Sequence, residues 1–197
     1  LESNNFIFKN QFGFREGKTC EDAIFWVTNF INGKLDQGEK PIAIFLDLQK
    51  AFDTVNHKIL LKTLNEAGLS GSVLQFFHNY LQNRTQVTKI NSISSSKLPI
   101  TDGVPQGTVL GPTLFLLYIN NVFKLNTPGE IVSFADDTVL LVSGKTWDES
   151  YQLAEEALNT VKSFLDNHLL LLNQTKTSYI SFTSTSKTPK QPKTLIP

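Results

Sequence analysis

Residues 41–48, Pro-Ile-Ala-Ile-Phe-Leu-Asp-Leu, constrain the fold of this chain more than any other stretch. The apolar residues run on without polar alternation, and the run has the length of a strand rather than a helix. Such a strand belongs in the buried middle of a sheet. It delivers one acid, Asp47, at its end. Far downstream, apolar segments 131–134 and 138–142 flank a tight turn carrying Asp136 and Asp137. If strand and hairpin are sheet neighbours, three carboxylates meet at one edge of the sheet.

The intervals are filled mostly by helices. Thr19 and Asp22 have the spacing of a capping box, and Ala23, Trp26, Val27, Phe30 and Ile31 follow at helical spacing until Gly33 closes the run. A second helix is predicted from near Asn56 to Gly68, with Ile59, Leu60, Thr63, Leu64 and Ala67 inward. A third, over 72–83, would bury Val73, Leu74, Phe77, Tyr80 and Leu81. Segments 86–90 and 97–100 predict a hairpin across a Ser-rich turn. Another apolar helix is expected from Gly107 to about Phe123, with Pro112 in its first turn. Thr146 and Glu149 repeat the capping-box signal before a helix that turns Leu153, Ala157, Leu158, Val161, Phe164 and Leu165 inward. A last strand spans 178–182. This order predicts an α+β fold, an antiparallel-rich sheet with helices on one face.

Composition narrows the class. The chain has 197 residues, 40% hydrophobic and 18% charged, which is globular and long enough for a real core. Its formal net charge is zero, so bulk positive charge is not how it would hold nucleic acid. Cys20 is the only cysteine, which excludes an internal disulfide and fits an intracellular, reducing setting. No apolar run approaches the roughly 18 residues of a membrane span. His57, His78 and His168 show no metal-ligand spacing with Cys20 and are assigned no chemistry.

Clustered carboxylates repel one another unless a cation lies among them. Magnesium takes a few carboxylate oxygens and keeps places for phosphates. Two such ions, about 3.5–4 Å apart, can clamp the attacking and leaving oxygens of a phosphoryl displacement. The same residues have ordinary uses: paired Asp side chains cap turns, and an Asp after a strand caps the next helix. Because neighbouring strand residues point to opposite faces, Asp136 is expected to join Asp47 as the stronger ligand, with Asp137 more peripheral.

Five segments, in order, resemble reverse transcriptases of LINE-type (non-LTR) retrotransposons, nearest to jockey-like elements. QFGFREGKTCEDAIF (11–25) is similar to the segment before the palm, and FLDLQKAFDTVNHKILLKTL (45–64) to the motif of the first catalytic Asp. GVPQGTVLGPTLFLLYIN (103–120) resembles the nucleotide-pocket motif, and FADDTVLL (134–141) the double-Asp hairpin. LLLNQTKTSYISF (170–182) resembles the element after the long palm helix.

The resemblance implies a right-hand polymerase palm with partial fingers over 1–183 and a polar tail or linker over 184–197. It implies an RNA-directed DNA polymerase that extends a DNA 3′-hydroxyl on an RNA template with deoxynucleoside triphosphates. Asp47, Asp136 and Asp137 match the catalytic acids that hold two Mg²⁺ ions, with Mn²⁺ as a substitute. Phe52 matches the bulky residue under the incoming sugar, whose ring would clash with a 2′-hydroxyl. Gln106 and Gly107 match the nucleotide pocket, Lys176 a lysine near the triphosphate, and Arg15 a residue beside the template. The upstream fingers, thumb and endonuclease segments of the parent polyprotein are expected outside this chain, and nuclear residence follows from the family alone. The alternative is an inactive retroelement remnant that binds nucleic acid or protein. Flanking coding sequence separates the two, since stop codons or a host gene would mark a remnant.

Overall fold

The protein is described by a computed structural model covering residues 6–184. Of the expected tail, residues 185–197 lie outside the described residues. In chain order the elements are α1 (Cys20–Asp36), β1 (Lys40–Leu46), α2 (His57–Glu66), α3 (Gly71–Leu81), β2 (Thr85–Gln86), β3 (Lys89–Ile90), β4 (Ile93–Ser94), β5 (Leu98–Pro99), α4 (Leu110–Ile119), a 3₁₀ turn (Asn120–Lys124), β6 (Glu130–Phe134), β7 (Asp137–Gly144), α5 (Trp147–Asn167) and β8 (Ser178–Ser181). Where the sequence marks no boundary, the chain divides into two compact units. One holds the chain up to Gln49 and from Asn120 onward; the other is Lys50–Ile119.

In the first unit the four-stranded sheet has the order β6-β7-β1-β8, and every neighbouring pair is antiparallel. The apolar run is its interior: Ile42, Ala43 and Ile44 are each 0% exposed. Residues buried in alternation on both faces need cover on both, and this corrects the one-face layering. Helix α1 lays Ala23, Trp26, Val27 and Phe30 over Phe12, Ala43, Val132 and Leu141. Helix α5 takes the opposite face. Its Tyr151 hydroxyl shares a 3.1 Å hydrogen bond with Ser181 Oγ, and its ring meets Tyr179 edge-on. Ser181 and Tyr179 pair with Ile42 and Ile44, not with Ala43. The start of α5 is pinned by Ser150 Oγ, which accepts from Gly144 N at 2.9 Å and donates to Lys40 O at 2.7 Å.

The Thr19 box forms in full: Asp22 N donates to Thr19 Oγ1 at 3.2 Å and Thr19 N to Asp22 Oδ2 at 2.8 Å. At the second box, Thr146 Oγ1 caps Glu149 N, but the Glu149 carboxylate accepts from Lys145 N instead. Helix α1 passes through Gly33 to Asp36 rather than stopping there, because one interior glycine costs a packed helix only about 1 kcal/mol. Thr19→Ala should lower stability by about 1 kcal/mol in urea denaturation, the usual cost of an N-cap.

In the second unit, Asn56 caps α2 through Lys58 N and Ile59 N, and α2 buries Leu60, Thr63 and Leu64. Helix α4 is buried from Leu114 to Ile119 and has Pro112 in its first turn; it stops at Ile119, short of Phe123. Two expectations are corrected. Helix α3 fully buries only Leu81; Leu74, Phe77 and Tyr80 are partly covered, and Val73 stands 46% exposed. Helical spacing names the apolar face and not whether anything covers it. The Ser-rich hairpin is broken into two short ladders, β2 with β5 and β3 with β4. Asn91 at φ 54° makes the inner turn, which draws Ile93 and Ser94 into pairing. No helix among the described residues is long and apolar enough to cross a membrane.

Candidate active site

The double-Asp turn joins β6 to β7. Phe134 pairs with Asp137, leaving Ala135 and Asp136 at the tip. Ala135 adopts φ 60°, a left-handed conformation uncommon for a residue with a side chain. The turn is held from behind by side chains. Ser133 Oγ and Thr138 Oγ1 lie 2.9 Å apart in a buried hydrogen bond, and buried Gln11 reaches Ala135 through both ends of its amide.

Asp47 leaves the same end of the sheet. The last pair of β1 with β7 is Leu46 with Thr138, and Asp47 and Asp137 are the residues just beyond it on each strand. The Asp47 peptide is gripped on both sides by the segment after α5. Its N–H donates to Thr177 Oγ1 at 3.3 Å, and its carbonyl accepts from Asn173 N at 2.7 Å. Asn173 also folds its own turn, accepting from Lys176 N and Thr177 N. Lys176 is carried, exposed, on that turn.

Asp136 is half-buried, whereas Asp137 is exposed. Burial pushes the Asp136 carboxyl above the ordinary carboxylate range. A hydrogen bond to its own backbone partly offsets this, and the charges of Asp137 and Asp47 push it further up. Both neighbouring acids therefore act on Asp136, and that is the repulsion a cation would relieve. Among the described residues no group of three or more His, Cys, Asp or Glu side chains is gathered to hold an ion by itself. The donors are carboxylates, which suits Mg²⁺ or Mn²⁺. Magnesium needs only one or two of them, taking the rest of its shell from water and phosphate, so the residues present fit such an ion.

The second unit builds a polar cleft of about 640 Å³ lined by residues that include Lys50, Asp53, Arg84, Asp102, Gly103 and Gln106. Its wall is two segments pinned together. Gly103 N donates to Val55 O and Val104 N to Phe52 O. Asn56 Nδ2 donates to Asp102 Oδ1 at 3.1 Å, and His57 Nε2 lies 2.8 Å from Gly103 O. Gly103 has φ 88°, and a Cβ there would sit 2.8 Å from Asp53 O, so only glycine lets the two backbones approach. Gln106 donates to Asp53 Oδ1 at 2.7 Å. The Phe52 ring stacks on Phe115 at 4.4 Å between centroids.

The family model described as "Reverse transcriptase (RNA-dependent DNA polymerase)" matches residues 1–195. The chain belongs to the reverse transcriptase family. It is 30% identical over 184 residues to the RNA-directed DNA polymerase from mobile element jockey of Drosophila melanogaster, covering 89% of this chain and 20% of that protein. It is 28% identical over 187 residues to a probable RNA-directed DNA polymerase from transposon BS of the same organism, covering 91% and 20%. The chain thus spans about a fifth of the length of these relatives. Among solved structures, telomerase from Candida albicans matches with a TM-score of 0.61 and 16% identity, over 87% of this chain and 32% of that one. Apo telomerase from Candida tropicalis matches at 0.57 and 14%, over 86% and 36%. These likenesses agree with the fold, a palm built on an antiparallel sheet.

Among the residues expected from the reverse transcriptase resemblance, the first unit collects Asp47, Asp136 and Asp137 at one sheet end, with Lys176 on the turn that grips Asp47. Phe52, Gln106 and Gly107 belong to the second unit. The Arg15 guanidinium donates to Phe8 O at 2.8 Å and Gln11 O at 3.1 Å, so it serves the loop that carries it. Sequence reasoning missed Gln11, Asp53 and Thr177. Each acts through a hydrogen bond to a residue distant in sequence. All three lie inside the quoted motifs, but nothing in the sequence singled them out.

Proposed function

We propose that this chain carries the palm chemistry of an RNA-directed DNA polymerase, adding deoxynucleotides to a DNA 3′-hydroxyl on an RNA template. The observation that carries the reading is the left-handed turn that holds Asp136 half-buried in the field of Asp47 and Asp137, within a chain of the reverse transcriptase family. Asp47 and Asp136, with Asp137 at the rim, would hold Mg²⁺ or Mn²⁺. Bound there, the ions would stabilise charge on the phosphates and favour the ionised primer hydroxyl.

The remaining roles fall to the protein's own groups. The cleft beside Gln106 is in the size range of small-molecule sites. The Gln106 amide, which donates to Asp53, would hydrogen-bond an incoming nucleotide. The Gly103 and Gly107 backbone, at φ 88° and 74°, allows close approach. The Lys176 ammonium would offset charge on departing pyrophosphate, and Arg15 would steady the loop along the template. Free, exposed Cys20 suits a reducing interior.

Phe52, braced by Phe115, would exclude a 2′-hydroxyl sterically. Phe52→Val should raise ribonucleotide over deoxynucleotide incorporation by about 10–200-fold, the range for shape discrimination of this kind. The check is primer extension on an RNA template with Mg²⁺, using the chain alone and extended to the span of its relatives. If neither folded form extends the primer, the polymerase reading fails. If both extend it with unchanged sugar selectivity in the variant, only the role of Phe52 fails.

A further inference from the structure

We propose that Gln11 is a positioning residue for Asp136, an inference that rests on the metal-holding role just given to that acid. Gln11 is 1% exposed and lies beside the outer edge of β6. Residues 10–12 run along that edge as a short parallel rung. Gln11 bridges Ser133, Phe12 N donates to Ser133 O at 2.8 Å, and Ser133 N donates to Asn10 O at 2.9 Å. The rung stops where the turn begins, and there a side chain takes over from the backbone. Gln11 Nε2 donates to Ala135 O at 3.1 Å, and Gln11 Oε1 accepts from Ala135 N at 2.9 Å. Gly13 N donates to the same Oε1 at 3.0 Å.

A primary amide offers one donor side and one acceptor side, as a strand peptide does. Gln11 therefore satisfies both backbone groups of Ala135, the residue whose left-handed φ sets the direction of the next side chain, Asp136. Ala135 is itself 5% exposed, and a Cβ on Gly13 would collide with its nitrogen. With so little room, the amide is the partner that these groups have, and another backbone conformation at Ala135 would break two of its bonds at once. Arg15, bound to Gln11 O, fixes the other side of the loop.

The test uses Mn²⁺ as the probe, so that binding is read apart from turnover. Free Mn²⁺ is followed by electron paramagnetic resonance, and broadening of the Ala135 and Asp136 amide signals locates the ion. Gln11→Leu, similar in size and unable to hydrogen-bond, should weaken Mn²⁺ binding by about 10–100-fold, the usual cost of losing a group that orients a ligand. In primer extension it should lower kcat without raising the deoxynucleotide KM. Phe12→Leu, a packing change in the same segment, should lower the melting temperature and leave Mn²⁺ affinity unchanged. Should Gln11→Leu not fold, Gln11→Glu keeps the acceptor, loses the donor to Ala135 O, and should still weaken Mn²⁺ several-fold. A folded Gln11 variant that binds Mn²⁺ as wild type does would overturn the proposal. So would equal losses in Gln11→Leu and Phe12→Leu. If wild type takes up no Mn²⁺ at Asp136, the metal reading itself is wrong and this inference falls with it.

Discussion

Asp136→Asn should abolish primer extension, by at least about a thousandfold, and at the same time make the metal-free protein harder to unfold. The first effect follows from losing a carboxylate that stabilises charge in the transition state, a loss of several kcal/mol at about 1.36 kcal/mol per tenfold in rate. The second follows from the site as it stands. Burial, then Asp137 and Asp47, oppose ionisation of Asp136 in the folded chain. An acid whose folded pKa is raised carries no penalty below its unfolded pKa. The penalty grows as pH rises through the window up to the folded value, and is complete above it. The neutral amide escapes it. The melting temperature of Asp136→Asn should therefore exceed that of wild type near neutral pH, and the gap should close on acidification. Added Mg²⁺ should raise the wild-type value and leave the variant nearly still, because only an ion bound to the folded state shifts the equilibrium. A variant that extends primers at the wild-type rate would remove the acid from the chemistry. A variant less stable than wild type at every pH would contradict the electrostatics.

Phe115→Ala should cost about 3–5 kcal/mol, the range for removing a buried Phe. Its ring is 0% exposed in α4 and stacks on Phe52. Against a total stability of about 5–15 kcal/mol, the melting temperature should fall by about 10 °C. The loss should also reach selectivity, because the ring that braces Phe52 is gone. Phe115→Leu keeps most of the volume and should be milder on both counts. Urea denaturation and competition between ribo- and deoxynucleotides measure the two effects. A small stability loss would show that the stack is not under load, and intact sugar selectivity would show that Phe52 needs no brace.

Local features of this fold were legible in the sequence because their physics is local. Thr19 and Asp22 make a cap wherever a helix starts between them, and the apolar run before Asp47 admits few positions other than the middle of a sheet. The Phe134–Asp137 hairpin was equally plain, with two apolar strands around two polar residues. What escaped depends on contacts that no period records. The exposure of Val73 is set by what packs on α3, not by its spacing. The cover on both faces of β1 depends on where two helices separated by more than a hundred residues come to rest. Gln11 reads as an ordinary polar residue until Ala135 stands beside it, and the bonds from Arg15 to two carbonyls of its own loop appear only in the folded chain. The acids were legible as letters, but the coupling that marks Asp136 among them appears only in the folded chain.

The pairing of β1 has a consequence for how related sequences can differ in length. Seven consecutive residues of β1 are matched to β7, and four of those also to β8. Side chains alternate with a period of two, so inserting or deleting one residue upstream of Asp47 within the strand would turn its carboxylate to the wrong face and bury the wrong residues. Gaps in an alignment should therefore be absent between Lys40 and Asp47. They should gather at the exposed tip around Asn91–Ser96, where the chain can lengthen without changing the phase of anything that matters.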